Sequence, residues 1–290
     1  LLKMLKVGVL DSGAGGLTVL SAILATKRQL EMHYFADEAF SPYGSLSVHS
    51  MQQRVIRLCE FLIDLGVSAI VIACNTATLE TISLIRNLQR VKEGGILVVG
   101  VEPAIKPASL IDDQGVVCVL ATPTSCQSER LKNLIQSNSK QPSKALEYHC
   151  IESHLLANLI DTLPESRVLL EQELNRIKEI IQALNARVLV LACTHYPLIK
   201  PRFEALFDYP VLIIEPSQAV AERLLFCLNE AEYVLAPIDK SGKSSAQNVF
   251  LYSSGDAKSL LRVRAWLSGL VGDIGVIDLN ITLRPDCLVD

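Results

Sequence analysis

The sequence predicts an α/β fold with two pseudo-symmetric domains, each containing a mainly parallel sheet flanked by helices. Short apolar runs typical of buried strands alternate with segments in which apolar residues recur every three or four positions. This alternation is typical of βαβ units and a parallel sheet. Three features of the first part of the chain also reappear in the second part in the same order. We therefore interpret the chain as a duplicated α/β unit.

The first predicted unit contains four apolar runs and three amphipathic segments. Strands are predicted at 6–10, 32–36, 68–73 and 96–101. Helices are predicted between them at 15–28, 48–66 and 75–91, where the apolar spacing changes from continuous to three and four. Each of the first three strands is therefore followed by a crossover helix, as parallel pairing requires.

The repeated features are strands followed by polar turns. GVVCVLATPTS (115–125) resembles VGVLDSGAGG (7–16), ARVLVLACTHYP (186–197) resembles VSAIVIACNTAT (67–78), and VLIIEPSQA (211–219) resembles VVGVEPAIK (98–106). We predict a discontinuous first domain, 1–100 with 214–290, and a second domain, 101–213. The tail offers a strand, NVFLYS, and a helix, AKSLLRVRAWLSGL, and we expect it to complete an earlier sheet.

Composition favours a soluble cytoplasmic protein with a small ligand. The 290 residues are 50% hydrophobic and have a net charge of −4. No apolar run reaches the roughly 18 residues of a membrane span, and the first residues lack the pattern of a secretory signal. Without a long basic block, nucleic acid is not the expected main partner. The eight cysteines are dispersed without CxxC spacing, which indicates cytosolic thiols rather than a disulfide framework.

Polar turns follow the predicted strands: DSGAGG, CNTA, ATPTS and CTHYP. Ligands of parallel α/β sheets bind outside the carboxyl ends of the strands. If the two domains face each other, these turns line one cleft, and we expect the active site in that cleft.

Two cysteines, Cys74 and Cys193, occupy equivalent positions before predicted helices. A helix N-terminus stabilises anions and lowers the pKa of a thiol. Two such thiols can remove a proton from one face of a tetrahedral carbon and return one to the other face. This is the chemistry of a cofactor-independent racemase or epimerase. Asp11 and His195 are candidates for tuning the two thiols.

The motifs DSGAGGLTVL (11–20), DEAFSPYGS (37–45), ACNTAT (73–78), ATPTS (121–125) and LACTHYPLI (191–199) occur in the order found in glutamate racemases. The chain resembles that family over nearly its whole length. The resemblance implies racemisation of glutamate by Cys74 and Cys193, which supplies D-glutamate for peptidoglycan. It also implies that no metal, nucleotide or pyridoxal phosphate takes part.

The resemblance further implies substrate contacts and partners. The contacts fall on Asp11, Ser12, Pro42, Tyr43, Gly44, Asn75, Thr76, Thr122, Ser125, Thr194 and His195. Ser125 replaces the threonine usual in the family, and Asp161 replaces a glutamate that often supports the catalytic histidine. Family members are often homodimers, and some are gated by a peptidoglycan precursor.

Three alternatives remain open at this stage. The substrate could be aspartate or another acidic amino acid, since the difference is one methylene group. Cys193 and His195 could serve a cysteine hydrolase, although we do not expect their side chains to converge on a strand-to-helix turn. A non-enzymatic amino-acid-binding module is the third. The remaining cysteines on apolar patterns, at 59, 118, 126, 150 and 227, are predicted to pack in the core.

Overall fold

The computed structural model describes residues 4–111, 114–139, 145–233, 247–271 and 277–283. The predicted fold class is confirmed, because the described residues form two parallel sheets flanked by helices. The chain divides into two compact units, the first made of Leu1–Val101 with Ser217–Asp290 and the second of Glu102–Pro216. The sequence-based boundaries after residues 100 and 213 stay a prediction.

Strands and helices alternate along the chain. The described strands are β1 (Leu5–Asp11), β2 (Leu30–Ala36), β3 (Ala69–Ile72), β4 (Leu97–Gly100), β5 (Gln114–Ala121), β6 (Ala145–Glu152), β7 (Val188–Leu191), β8 (Leu212–Ile214), β9 (Gln247–Ser253) and β10 (Ile277–Leu283). The described helices are α1 (Leu17–Ala25), α2 (Val48–Asp64), α3 (Asn75–Asn87), α4 (Gln89–Glu93), α5 (Ile105–Ile111), α6 (Pro123–Gln127), α7 (Glu129–Ser139), α8 (Leu156–Asp161), α9 (Arg167–Ala183), α10 (Lys200–Glu204), α11 (Ser217–Glu230) and α12 (Ala257–Leu270).

The first unit contains a sheet with the strand order β10-β9-β2-β1-β3-β4, and every neighbouring pair is parallel. Strand β9 pairs with β2 from Met32↔Val249 to Ala36↔Ser253. The prediction that the tail completes an earlier sheet is therefore confirmed for β9. Cys287 lies outside the described residues.

The second unit contains a parallel sheet with the order β6-β5-β7-β8. This order matches β2-β1-β3-β4 of the first unit strand for strand. In both units the second strand pairs with one side of the first strand, and the third strand pairs with its other side. The point where the direction reverses lies between β1 and β3 in the first unit, and between β5 and β7 in the second. Ligands of open α/β sheets bind at such switch points.

Burial explains why these segments form their elements. The central strands β3 and β7 are buried along their whole length, as expected of strands covered on both faces. Helix α2 buries Met51, Val55, Leu58 and Leu62, which recur every three or four residues. The hydroxyl of Ser47 caps this helix by accepting a hydrogen bond from the Ser50 amide at 3.1 Å. None of the described helices combines the length and the apolar character that a membrane crossing requires.

Candidate active site

The first cysteine turn begins where β3 ends. Cys74 lies two residues beyond the strand and is the N-cap residue of α3. Its carbonyl accepts the first helical hydrogen bond, from the Thr78 amide at 2.8 Å. The residue is 5% exposed, and its sulfur lies 3.8 Å from the hydroxyl oxygen of Ser12. Strand β3 and the turn after β1 therefore bring two predicted site residues together.

The glycine turn after β1 holds Asp11 in a fixed position. One carboxylate oxygen of this buried residue, Oδ2, accepts hydrogen bonds from the amides of Gly13 at 3.1 Å and Gly16 at 2.9 Å. A Cβ atom at Gly16 would lie 2.7 Å from the Asp11 Cβ and 3.0 Å from that of Ala73. Close approach of the backbone therefore requires glycine at position 16. The tuning of Cys74 by Asp11 stays a prediction, and the hydroxyl of Ser12 lies 3.8 Å from the sulfur.

Asn75 and Thr76 occupy the first turn of α3 and are buried. The Asn75 amide nitrogen donates to the Val101 carbonyl at 3.4 Å. Its side-chain oxygen is buried and has no hydrogen-bond partner among the described residues. Since such a group costs free energy unless it is paired, this oxygen is an acceptor that a ligand can use.

Tyr43 is joined to a buried charge cluster that the sequence did not predict. Its hydroxyl donates to Oδ2 of Asp37 at 2.6 Å. Arg54 binds both oxygens of the same carboxylate, at 2.7 and 2.6 Å, and Ser254 donates to Oδ1 at 2.6 Å. Asp37 is thus the centre of a network that joins the end of β2, helix α2 and the turn after β9. This geometry gives Asp37 a structural role.

The network fixes the chemical state of Tyr43. Burial raises the pKa of its phenol, and the neighbouring Asp37 carboxylate raises it further. Tyr43 therefore stays protonated and remains a donor. It packs in the same buried cluster as Cys74, whereas the flanking Pro42 and Gly44 are half-buried.

The second cysteine turn begins where β7 ends. Cys193 again lies two residues beyond the strand and is 7% exposed. Its sulfur is 3.9 Å from Nδ1 of His195, and Nε2 of the same ring is 3.0 Å from Oδ2 of Asp161. The expectation that the Cys193 and His195 side chains do not converge is wrong. The Tyr196 amide donates to the Cys193 carbonyl at 3.1 Å, and this tight turn brings the two side chains to one side.

Asp161 sets the charge of His195. Burial lowers the pKa of the imidazole, but the charge and the hydrogen bond of Asp161, together with Cys193, raise it well above the ordinary value of 6.5. The shorter stem of Asp161 therefore still reaches the histidine from α8. The charged imidazole can donate a hydrogen bond from Nδ1 towards the sulfur of Cys193, which lies 3.9 Å away.

The remaining predicted residues of the second unit are Thr122, Ser125 and Thr194, and all three are buried. Thr122 caps α6, since its hydroxyl oxygen accepts from the Ser125 amide at 3.3 Å and donates to the Ser125 hydroxyl at 3.0 Å. Thr194 is buried beside Cys193 in the chain. Tyr196 was missed by the sequence reasoning, although it belongs to the CTHYP motif. Its buried hydroxyl lies beside Cys193 and has no nitrogen or oxygen partner among the described residues.

The two cysteine turns follow equivalent strands of their sheets, but different side chains lie beside the two sulfurs. Cys74 has the hydroxyl of Ser12, whereas Cys193 has the imidazole of His195 and, behind it, the carboxylate of Asp161. Both settings suit a thiol that takes up and releases protons. Among the described residues no group of three or more His, Cys, Asp or Glu side chains is arranged to hold a metal ion.

Three of the other cysteines are less buried than predicted. Cys59 and Cys118 are buried as expected, but Cys150 is exposed and Cys126 and Cys227 are half-buried. The prediction of core packing is therefore wrong for Cys150. Strand β6 is an edge strand, and its apolar pattern does not reveal that position.

Sequence comparison with known proteins finds racemases, both as a family and as individual relatives. Residues 18–224 match the family described as Asp/Glu/Hydantoin racemase. A glutamate racemase of Ralstonia pickettii is 34% identical over 267 residues, which cover 92% of this chain and 88% of the relative. A glutamate racemase of Ralstonia nicotianae is 36% identical over 285 residues, covering 96% of this chain and 95% of the relative.

Solved structures show the same fold. Glutamate racemase of Escherichia coli, in complex with L-glutamate and the activator UDP-MurNAc-Ala, aligns with a TM-score of 0.73 and 23% identity over 97% of this chain and 98% of that chain. The enzyme of Francisella tularensis, in complex with D-glutamate, aligns with a TM-score of 0.72 and 24% identity over 97% of both chains. The resemblance that the motifs indicated is confirmed. The chain belongs to the Asp/Glu/Hydantoin racemase family and is therefore an isomerase.

Proposed function

We propose that this protein is a cofactor-independent glutamate racemase that interconverts L- and D-glutamate through Cys74 and Cys193. The observation that carries the proposal is the position of the two cysteines. Each lies two residues beyond the strand at the switch point of its sheet, β3 in one unit and β7 in the other. The family relationship and the glutamate racemases at 34–36% identity support glutamate as the substrate.

The reaction exchanges a proton at Cα. One cysteine starts as a thiolate and abstracts the proton, and the other starts as a thiol and delivers a proton to the opposite face. In the reverse direction the two cysteines exchange roles. The negative charge that develops on the substrate has to be stabilised by preorganised donors. The amides and hydroxyls of the two cysteine turns are suited to this task.

Different groups would assist the two thiols. The imidazolium of His195, kept charged by Asp161, can donate a hydrogen bond to the sulfur of Cys193 at 3.9 Å. Cys74 instead has the Ser12 hydroxyl at 3.8 Å, which can donate a hydrogen bond once the sulfur is charged. We assign substrate binding to the predicted contacts, and the orphaned Asn75 oxygen is suited to the substrate ammonium group. The full set is Asp11, Ser12, Pro42, Tyr43, Gly44, Asn75, Thr76, Thr122, Ser125, Thr194 and His195.

A second candidate is acyl transfer by a cysteine hydrolase. The series Cys193, His195 and Asp161 has the arrangement of a nucleophile, a base and an orienting carboxylate. Only Cys193 would be needed for that chemistry, and an acyl thioester would form on it. The proposal of racemisation instead requires Cys74 as well.

The biological setting follows from the family. We propose that the D-glutamate supplies peptidoglycan synthesis in the cytoplasm, that the enzyme is a homodimer or exchanges between monomer and dimer, and that a peptidoglycan precursor activates it. The Escherichia coli relative was crystallised with the activator UDP-MurNAc-Ala, which supports the last point.

Incubation with L-glutamate in deuterated water tests the proposal. Circular dichroism should decay to zero while the Cα proton signal disappears from the NMR spectrum, with UDP-MurNAc-Ala present in a parallel sample. Cys118→Ala serves as a control, because Cys118 is a buried core residue. A constant circular dichroism signal and no loss of the Cα proton in both samples would contradict the assignment as a glutamate racemase. If L-aspartate exchanges its Cα proton faster than L-glutamate, aspartate is the preferred substrate. A thioester on Cys193, together with full activity in the absence of the Cys74 thiol, would favour the hydrolase.

A further inference from the structure

Two thiols that do not belong to the cysteine turns lie side by side in the second unit. Cys126 belongs to α6, and Cys150 belongs to β6, where it pairs with Val119 of β5. Helix α6 packs against β6, and the thiols of Cys126 and Cys150 are close enough to interact with each other. The two cysteines are 24 positions apart in the sequence, so the fold alone brings them into contact.

Their surroundings make one thiol reactive and the other its partner. Cys150 is exposed and Cys126 is half-buried. The hydrogen bond from Cys126 lowers the pKa of Cys150, against the opposing effects of partial burial and of Glu152. The thiolate is the form that reacts with oxidants, and reactive cysteines are accessible to solvent. Cys118, on the neighbouring strand, is the contrast, because burial raises its pKa to about 12.

We propose that Cys126 and Cys150 form a redox-modification site, in which a peroxide converts the two thiols to an intramolecular disulfide. The Cys150 thiolate attacks the peroxide oxygen, which gives a sulfenic acid and releases hydroxide. The Cys126 thiol then attacks the Cys150 sulfur, which forms the S–S bond and releases water. Overall, two thiols and one hydrogen peroxide give one disulfide and two waters. A dithiol reductant reverses the change by thiol–disulfide exchange.

The site is coupled to the proposed substrate contacts, and this part of the inference rests on the proposed function. Cys126 lies in the short helix α6, whose cap is Thr122 and whose first turn contains Ser125. Tyr196 is close enough to interact with the sulfurs of both Cys126 and Cys193. A covalent bond from α6 to β6 fixes the position of this helix. Oxidation should therefore raise the KM for glutamate and leave the free energy of unfolding nearly unchanged.

Peptide mapping tests the disulfide without reference to activity. The reduced full-length protein is treated with hydrogen peroxide, quenched with catalase, alkylated and digested with trypsin. Cys126 lies in the tryptic peptide 93–130 with Cys118, and Cys150 lies in 145–167. We expect a cross-link between these two peptides, two fewer free thiols per chain, and reversal by dithiothreitol. Cys118→Ala should keep the cross-link, whereas Cys150→Ser should abolish it.

Activity measurements then test the coupling. Peroxide should raise the KM of the wild type and of Cys118→Ala reversibly, and Cys150→Ser should resist this change while its activity before oxidation stays the same. No cross-link, a cross-link only between two chains, or irreversible oxidation of Cys150 would overturn the proposal. A cross-link with an unchanged KM would refute the coupling. If no racemisation is found at all, the mapping result still decides the redox site by itself.

Discussion

Replacing Asp161 by asparagine removes one negative charge beside His195 and changes little else. The asparagine side chain has nearly the same volume and keeps one oxygen that can accept a hydrogen bond. In the wild type, Nε2 of His195 and Oδ2 of Asp161 are 3.0 Å apart and both side chains are buried. The substitution therefore isolates the electrostatic contribution of Asp161 to the second cysteine turn.

The distance sets the size of the effect. Two unit charges 3.0 Å apart attract each other by about 5.5 kcal/mol at an effective dielectric constant of about 20. Removing both ions from water offsets much of this attraction, and hydrogen bonds to charged groups contribute a net of about 1.5–3 kcal/mol. Since about 1.4 kcal/mol corresponds to a tenfold change in rate, kcat/KM should fall roughly 10- to 100-fold.

Thermodynamics restricts how this loss is distributed. L- and D-glutamate have equal free energies, so the equilibrium constant is one and kcat/KM must fall by the same factor in both directions. The separate values of kcat and KM can change unequally, because Cys193 starts as the base in one direction and as the acid in the other. Initial rates measured by circular dichroism from each enantiomer give all four constants.

The pH profile gives a second readout. Burial lowers the pKa of His195, but Asp161 and Cys193 raise it well above 6.5. The imidazolium is therefore present below this raised pKa and is lost as the pH rises through it. In Asp161→Asn the pKa falls, and the alkaline limb of kcat/KM should move to lower pH. Asp161→Glu, which keeps the charge, should retain most of the activity and the position of the limb. An unchanged limb and a rate within twofold of the wild type in Asp161→Asn would refute the reasoning.

Three further substitutions test the first unit. Tyr43→Phe removes one donor from the buried Asp37 carboxylate and should lower the free energy of unfolding by about 1.5–3 kcal/mol in urea titrations; an unchanged midpoint would contradict this. Arg54→Ala leaves the same carboxylate without its ion-pair partner and should cost about 3–5 kcal/mol, so a smaller loss than that of Tyr43→Phe would count against the network. Ser12→Ala removes the hydroxyl beside Cys74 and should lower kcat/KM roughly 2- to 10-fold while the unfolding midpoint stays constant; a fall in the midpoint would mean that the hydroxyl acts on stability instead.

The sequence allowed the strands and the two cysteine turns to be predicted because both depend on local patterns. A buried strand such as β3 or β7 is a continuous apolar run, and the polar turn follows it directly. The equivalence of Cys74 and Cys193 could therefore be recognised from the repeated motif alone. The matching strand orders of the two sheets add what a linear pattern does not contain, namely that both cysteines lie at switch points.

The partners of the site residues could not be predicted in the same way. Arg54 is 17 residues from Asp37, and His195 is 34 residues from Asp161, so no periodicity connects them. The contact between Cys193 and His195 depends on the tight turn that follows β7, whereas the sequence-based expectation was that the two side chains do not converge on a strand-to-helix turn. The exposure of Cys150 depends on the edge position of β6, which only the assembled sheet defines.

The isotopic composition of both enantiomers at early times tests the two-cysteine mechanism most directly. L-glutamate is allowed to react in deuterated water to a small extent, and the two enantiomers are separated and analysed by mass spectrometry. With two separate acid/base groups, the D-glutamate formed carries deuterium at Cα while the remaining L-glutamate stays protiated. The same pattern should hold from D-glutamate, and neither Cys74→Ser nor Cys193→Ser should racemise at a comparable rate. Deuterium entering the starting enantiomer as fast as the product, or full racemisation by either variant, would contradict the account.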